Sequence, residues 1–223
     1  MKDYQISINQ LAEFNDATDY TKRKIIERQL DPDPLRISWY QLPKARIKKS
    51  IELKGDLNPV YDGISTLMNR NPIKERQKID KRVSLEALER FVKMKLPSIL
   101  DEVDYEVIKP KIKSTYIKGV EVIIAPEVIV KGNLNGNPIY GAVKIHISKN
   151  KPFDLQKSRL VASAMVTYLK NEIAEKDSEV IPEMCFSLDV FSGRIISVTD
   201  DDYPIYSRVD EICDEVKRLW SKV

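Results

Sequence analysis

The chain has 223 residues, of which 42% are hydrophobic and 32% charged, enough apolar material for a packed core and too much for disorder throughout. Lys and Arg number 37 against 34 Asp and Glu, and the net charge of +3 identifies no polyanionic partner, so any nucleic-acid argument must come from local charge. One histidine, His146, and two cysteines, Cys185 and Cys213, exclude a conventional structural zinc site of four such ligands. Both thiols are expected to be buried and unpaired, as a reducing compartment permits. No apolar run reaches the roughly 20 residues of a membrane helix, and the opening MKDYQISINQ lacks the pattern of a signal peptide. The expectation is a cytoplasmic protein with no membrane partner.

Taken in chain order, Leu11, Phe14, Ile25, Ile26 and Leu30 fall at helical spacings within residues 8–30, with Ser7 as the candidate cap. Asp31-Pro32-Asp33-Pro34 stops that element, because proline removes backbone donors and biases the preceding residue away from helix. Residues 35–71 are interrupted by Pro43, Gly55, Pro59 and Gly63 and closed by Pro72, which leaves room for short helices only. Within them KARIKKSIELK gathers Lys44, Arg46, Lys48, Lys49 and Lys54, either a solvated helix face or a phosphate-contacting patch. Trp39 and Tyr40 beside it are either buried or placed to stack on bases. Ser84 reads as the N-cap of a core helix over 85–96. Glu86 and Glu89 sit in its first turns, Leu85, Leu88, Phe91, Val92 and Leu96 form its stripe, and Pro97 ends it.

The period then changes. Residues 105–108, 114–118, 120–131 and 139–148 are rich in Val, Ile, Tyr and Thr, and Asn135-Gly136-Asn137 signals a turn. VEVIIAPEVIVKG and NPIYGAVKIHIS therefore read as an antiparallel hairpin. Residues 156–173 return to helical spacing. MCFSLDVF and RIISVTD flank Ser192-Gly193 as a second hairpin, where Asp189 fits a turn-supporting role or a carboxylate near the sheet end, and a helix over 208–220 closes the chain. This order predicts an α/β or α+β fold, a central mixed sheet flanked by helices, with a helical N-terminal region over 1–80 and the core over 81–223 in one continuous domain.

The seven glycines form no GxGxxG or Walker loop, which removes those nucleotide-binding classes. Attention falls on the central hairpin, where Pro126-Glu127 precedes Lys144. Alternation places Lys144 on one face with Ala142 and His146, and Val143, Ile145 and Ile147 on the other. Lys144 is then either an outward lysine on a one-sided sheet or a functional group. His146, as the sole imidazole, is either a packed residue or a general base. Asp200-Asp201-Asp202 is a solvated loop or a hard-metal ligand set.

Over residues 6–171 this layout resembles the PD-(D/E)XK, or restriction-endonuclease-like, phosphodiesterase superfamily, particularly its RecB-like branch. Pro126-Glu127 matches the acid of one strand, with Glu for the more usual Asp. Gly141-Ala142-Val143-Lys144 matches the acid-x-Lys of the next strand in its lysine, while Ala142 stands in the place of the acid. Gln156 and Tyr168 are similar to the branch's later Gln and Tyr, and ISINQLAEF is similar to its opening. The resemblance implies a nuclease acting on DNA or RNA with Mg²⁺ or Mn²⁺, in which Glu127, Lys144, Gln156 and Tyr168 form the site and Glu127, Glu89 and His146 are the available metal ligands. Carboxylates would hold the hard cation, which lowers the pKa of a bound water, and the lysine would stabilise charge on the phosphoryl oxygens. With Ala142 in the acid position, the same resemblance also implies an alternative, a catalytically impaired nucleic-acid-binding or assembly subunit, with a protein partner or a second copy of the chain left open.

Overall fold

The computed structural model describes residues 4–31, 39–134 and 136–222. Most of the Asp-Pro-Asp-Pro segment and Asn135 of the expected turn lie outside them. Two sheets form the frame. A small one has the order β1 (Gln5–Ser7), β4 (Val120–Ile123), β3 (Ser114–Ile117), with β1 parallel and β3 antiparallel to β4. The main sheet runs β2 (Tyr105–Ile108), β5 (Val128–Leu134), β6 (Asn137–His146), β7 (Glu179–Asp189), β8 (Arg194–Ile196), antiparallel at every pairing except β6 with β7. That parallel pair needs a crossover, supplied by α7 (Leu155–Tyr168), which a π-helical turn extends over Leu169–Ile173. The fold is thus α+β, with mixed sheets flanked by helices.

Both faces of the main sheet are covered. One packs with α7, α8 (Tyr203–Trp220), α1 (Ile8–Phe14), α2 (Asp19–Leu30) and the small sheet, around residues such as Ala142, Leu160, Met165 and Ile212. The other packs under α3 (Gln41–Glu52), α4 (Asn58–Met68) and α5 (Glu75–Val92), around Ile47, Leu88, Phe91, Val143 and Ile145. The alternation along β6 therefore sorts side chains as expected, into two buried faces rather than one buried and one wet. Along α8, Ile205, Val209, Ile212, Cys213, Val216 and Leu219 make a buried stripe at helical spacing that holds the helix to the core. Cys185 and Cys213 are buried and free, as expected.

Several element boundaries differ from the sequence reading. Ser7 caps α1 by accepting from the Gln10 amide, but residues 8–30 form two helices, the second capped by the Thr18 side chain. Residues 35–71 hold helices of 12 and 11 residues rather than short ones, because Pro43 and Pro59 fall in first turns where proline costs no hydrogen bond. Ser84 is no cap. It is buried inside α5, which starts at Glu75, crosses the expected boundary between 80 and 81, and ends at Val92. The strand expected over 120–131 is two strands in different sheets, parted at residues 124–127, where Ala125 takes a left-handed φ of 40°. The hairpin proper is β5–β6, with Val128 opposite Val143. The first helix turn of α8 begins at Tyr203, ahead of residue 208.

One glycine is required by close approach. A Cβ on Gly141 would lie 2.6 Å from Met184 Cβ and 2.7 Å from its carbonyl, at the point where the β6–β7 register shifts. The shift also accommodates Pro182, which has no amide to give to the ladder.

Candidate functional site

The site forms where the two sheets meet. Leaving β4, the chain turns through the left-handed Ala125 and Pro126 before entering β5, and that turn presents Glu127. The Glu127 amide donates to the Val143 carbonyl, and its Oε2 accepts from the Ile145 amide at 2.7 Å, so both ends of the residue are tied to β6. Its Oε1 pairs with Lys44 Nζ of α3 at 2.7 Å. Lys144 Nζ lies 3.7 Å from the same oxygen and donates to the Ile124 carbonyl at 2.8 Å and the Ala125 carbonyl at 2.7 Å. Burial holds the Lys144 ammonium below its usual pKa of 10.5; the Glu127 charge opposes that shift and Lys44 adds to it. Lys144 is a buried clamp on the strained turn, and the outward-facing reading of this lysine does not hold.

Glu127 sits at the floor of a cleft of about 650 Å³ whose walls include Gln41, Lys44, Lys48, Lys109 and Lys113. Lys109 and Lys113, with Lys111, belong to the exposed 109–113 loop between β2 and β3, and none of the three has an ion-pair partner among the described residues. That loop is itself pinned. The Tyr168 hydroxyl donates to the Ile112 carbonyl at 2.7 Å, and the Lys113 carbonyl accepts from the Ile124 and Ala125 amides, both at 2.9 Å. Burial pushes the Tyr168 phenol up to about 12, so it stays a donor.

The sequence-derived residues are thus divided. Glu127 and Lys144 meet, and Tyr168 joins them through the turn and loop backbone. Gln156 is exposed in the first turn of α7 and does not line the cleft. Glu89 is exposed and lines a separate cleft with Glu86, Arg90 and Lys93. His146 is buried, stacked on Phe153 with ring centroids 3.7 Å apart, and its Nε2 is 2.9 Å from the Lys151 carbonyl. Burial lowers its pKa; the Lys151 carbonyl, Asp189 and Glu13 oppose this, and Lys44 reinforces it. Asp189 has the turn-supporting role: fully buried, it accepts from the Ser192 amide at 2.7 Å and the Phe153 amide at 2.6 Å.

Of the remaining candidates, Asp202 pairs with Arg159 and Asp200 with Lys170, while Asp201 is exposed, so the three acids do not converge on one point. Trp39 is partly exposed beneath Arg76, and Tyr40 packs edge-on against Phe191. Lys44 was visible only as one member of a basic run. Nothing in the sequence marked it as the partner of a carboxylate so distant in the chain.

The residues do not fit the Mg²⁺ or Mn²⁺ that the resemblance implies. Hard cations need several convergent oxygens. Among the described residues no three His, Cys, Asp or Glu side chains are placed to share an ion. Glu127 spends both oxygens within the chain, and Ala142, in the acid position, is a methyl group at 0% exposure in the core. No protein-family model and no curated protein matches the chain. Among the described residues no helix is long and apolar enough to cross a membrane.

Proposed function

We propose that this protein is a nuclease-like fold that holds the sugar-phosphate backbone of DNA or RNA in the cleft above Glu127 without hydrolysing it. The observation that carries the reading is the closed state of Glu127: one oxygen is taken by the Lys44 ammonium and the other by a main-chain amide, so the group that would anchor a metal instead neutralises two lysines. The rim remains cationic, with Lys48, Lys109 and Lys113 facing the cleft. The pinned backbone at residues 112–113 supports the same reading, since the main chain that carries Lys113 need not be ordered when a phosphate arrives. In this account the lysine and tyrosine that resemble catalytic residues shape the binding surface.

The test is the salt dependence of binding to labelled DNA and RNA. Counterion release gives a log–log slope near −0.7 per phosphate contact on single strands and −0.9 on duplex, so Lys48, Lys109 and Lys113 together give about −2 to −3. Replacing Lys109 and Lys113 by Ala reduces the slope by about 1.5. Absence of binding, or binding indifferent to salt, refutes the proposal.

A further inference from the structure

We infer that Glu127 is a built-in competitor of the bound polymer: in the free protein it occupies Lys44 as a backbone phosphate would, and on binding Lys44 changes partner from carboxylate to phosphate. This rests on the reading of the cleft as a backbone-binding site. Two observations carry it. The first is where the pair stands. Lys44 and Glu127 both line the cleft, and among the described residues Glu127 is the one carboxylate that does. Lys44 Nζ lies 2.7 Å from Glu127 Oε1, a length that an ammonium also makes with a phosphate oxygen. An entering phosphate therefore meets an ammonium already paired, with a negative charge behind it. Lys109 and Lys113 face the same cleft with no ion-pair partner among the described residues, so they meet the phosphate unopposed.

The second is the unequal hold on the two partners. Glu127 is fixed without Lys44: its amide donates to the Val143 carbonyl, its Oε2 accepts from the Ile145 amide at 2.7 Å, and Lys144 Nζ stands 3.7 Å from Oε1. Lys44 has Glu127 as its only ion-pair partner among the described residues, and its side chain is 40% exposed against 12% for Glu127. A flexible four-carbon stem lets that ammonium move while the carboxylate stays. Lys44 is also one of the charges that disfavour the Lys144 ammonium, so its departure leaves Lys144 better able to hold Glu127 alone.

The exchange replaces one ion pair by another and adds no net charge to the cleft. Lys44 therefore contributes little affinity while Glu127 is ionised, and the salt slope of the parent is set by Lys48, Lys109 and Lys113. Removing the carboxylate charge adds Lys44 to them.

Fluorescence anisotropy with a labelled oligothymidylate tests this on the full chain, with thermal unfolding to confirm that each variant is folded. Glutamine at 127 keeps an oxygen for the Ile145 amide and loses the charge. Glu127→Gln is expected to bind about fivefold more tightly at about 0.1 M salt and to steepen the slope by about 0.7, the effect of one further phosphate contact on a single strand. Adding Lys44→Met to Glu127→Gln removes both gains. A second measurement leaves Glu127 unchanged: the side-chain ammonium NMR signal of Lys44, assigned by its loss in Lys44→Met, shifts when the oligonucleotide is added to the parent, while the Ile145 amide signal holds its position. Binding by Glu127→Gln no tighter than the parent's, a gain that survives Lys44→Met, or a Lys44 signal indifferent to the oligonucleotide overturns the exchange while leaving the cleft reading in place. Binding by neither the parent nor Glu127→Gln overturns both.

Discussion

Replacing Lys144 by Met separates a structural lysine from a chemical one. Methionine keeps the unbranched stem between the same core neighbours, so the change is confined to the ammonium. Its loss leaves the Ile124 and Ala125 carbonyls without the donors now at 2.8 and 2.7 Å, and leaves Glu127 with one cation fewer. A polar group left unsatisfied by such a deletion costs about 1–3 kcal/mol, and two carbonyls are affected. Relief of the ammonium's burial, the cause of its lowered pKa, offsets part of that. Ala125 also loses the bond that helps keep it left-handed, a conformation costing an L residue about 1–2 kcal/mol. The net expectation is a loss of about 2–4 kcal/mol, or about 4–16 °C in Tm at about 2–4 °C per kcal/mol for a chain of this length. Urea unfolding measures it as a lower midpoint at unchanged slope, with the exposed Glu89→Ala as a control expected within about 0.5 kcal/mol of the parent. A Lys144→Met protein as stable as the parent refutes the clamp. If it were also to lose a phosphodiesterase activity of the parent, the lysine would belong to chemistry.

Two further outcomes follow from the same geometry. Burial lowers the pKa of His146, so on acidification through 6.5 the unfolded chain takes a proton that the folded chain refuses; stability therefore falls as pH drops below that value, and His146→Gln flattens the fall, whereas an unchanged pH profile contradicts the buried, neutral ring. Tyr168→Phe removes the bond to the Ile112 carbonyl, at a cost of about 0.5–1.5 kcal/mol, and is expected to speed amide exchange at residues 112–113 and weaken oligonucleotide binding several-fold; if exchange and affinity both stay at parent values, the phenol does not pin the loop.

The sequence carried the sheet-forming segments and the two faces of β6 because strand alternation and turn residues are local signals. It carried Glu127 and Lys144 as a pair because adjacent strands of a hairpin bring such positions together. Other features left no local mark. The first half of α5 is exposed and polar, so no apolar period announces a helix before Ser84. β1 buries a single side chain, Ile6, and exists through its pairing with β4. The break at Ala125 depends on a left-handed alanine, which nothing in the composition of that segment signals. Whether a carboxylate is free or engaged is a tertiary fact, and the lysine that engages Glu127 arrives from α3. Glu89 and His146 carried the right chemistry for ligands, but the packing of α5 and the stacking of His146 on Phe153 put them to other uses.

The most direct test of a binding cleft closed to catalysis is a cleavage assay on labelled single strands of DNA and RNA, with Mg²⁺, with Mn²⁺ and with chelator. The account predicts strands retained at full length under all three conditions, in complexes that dissolve as salt rises. Metal-dependent shortening of the strands by the parent protein, abolished by Glu127→Ala, would contradict it.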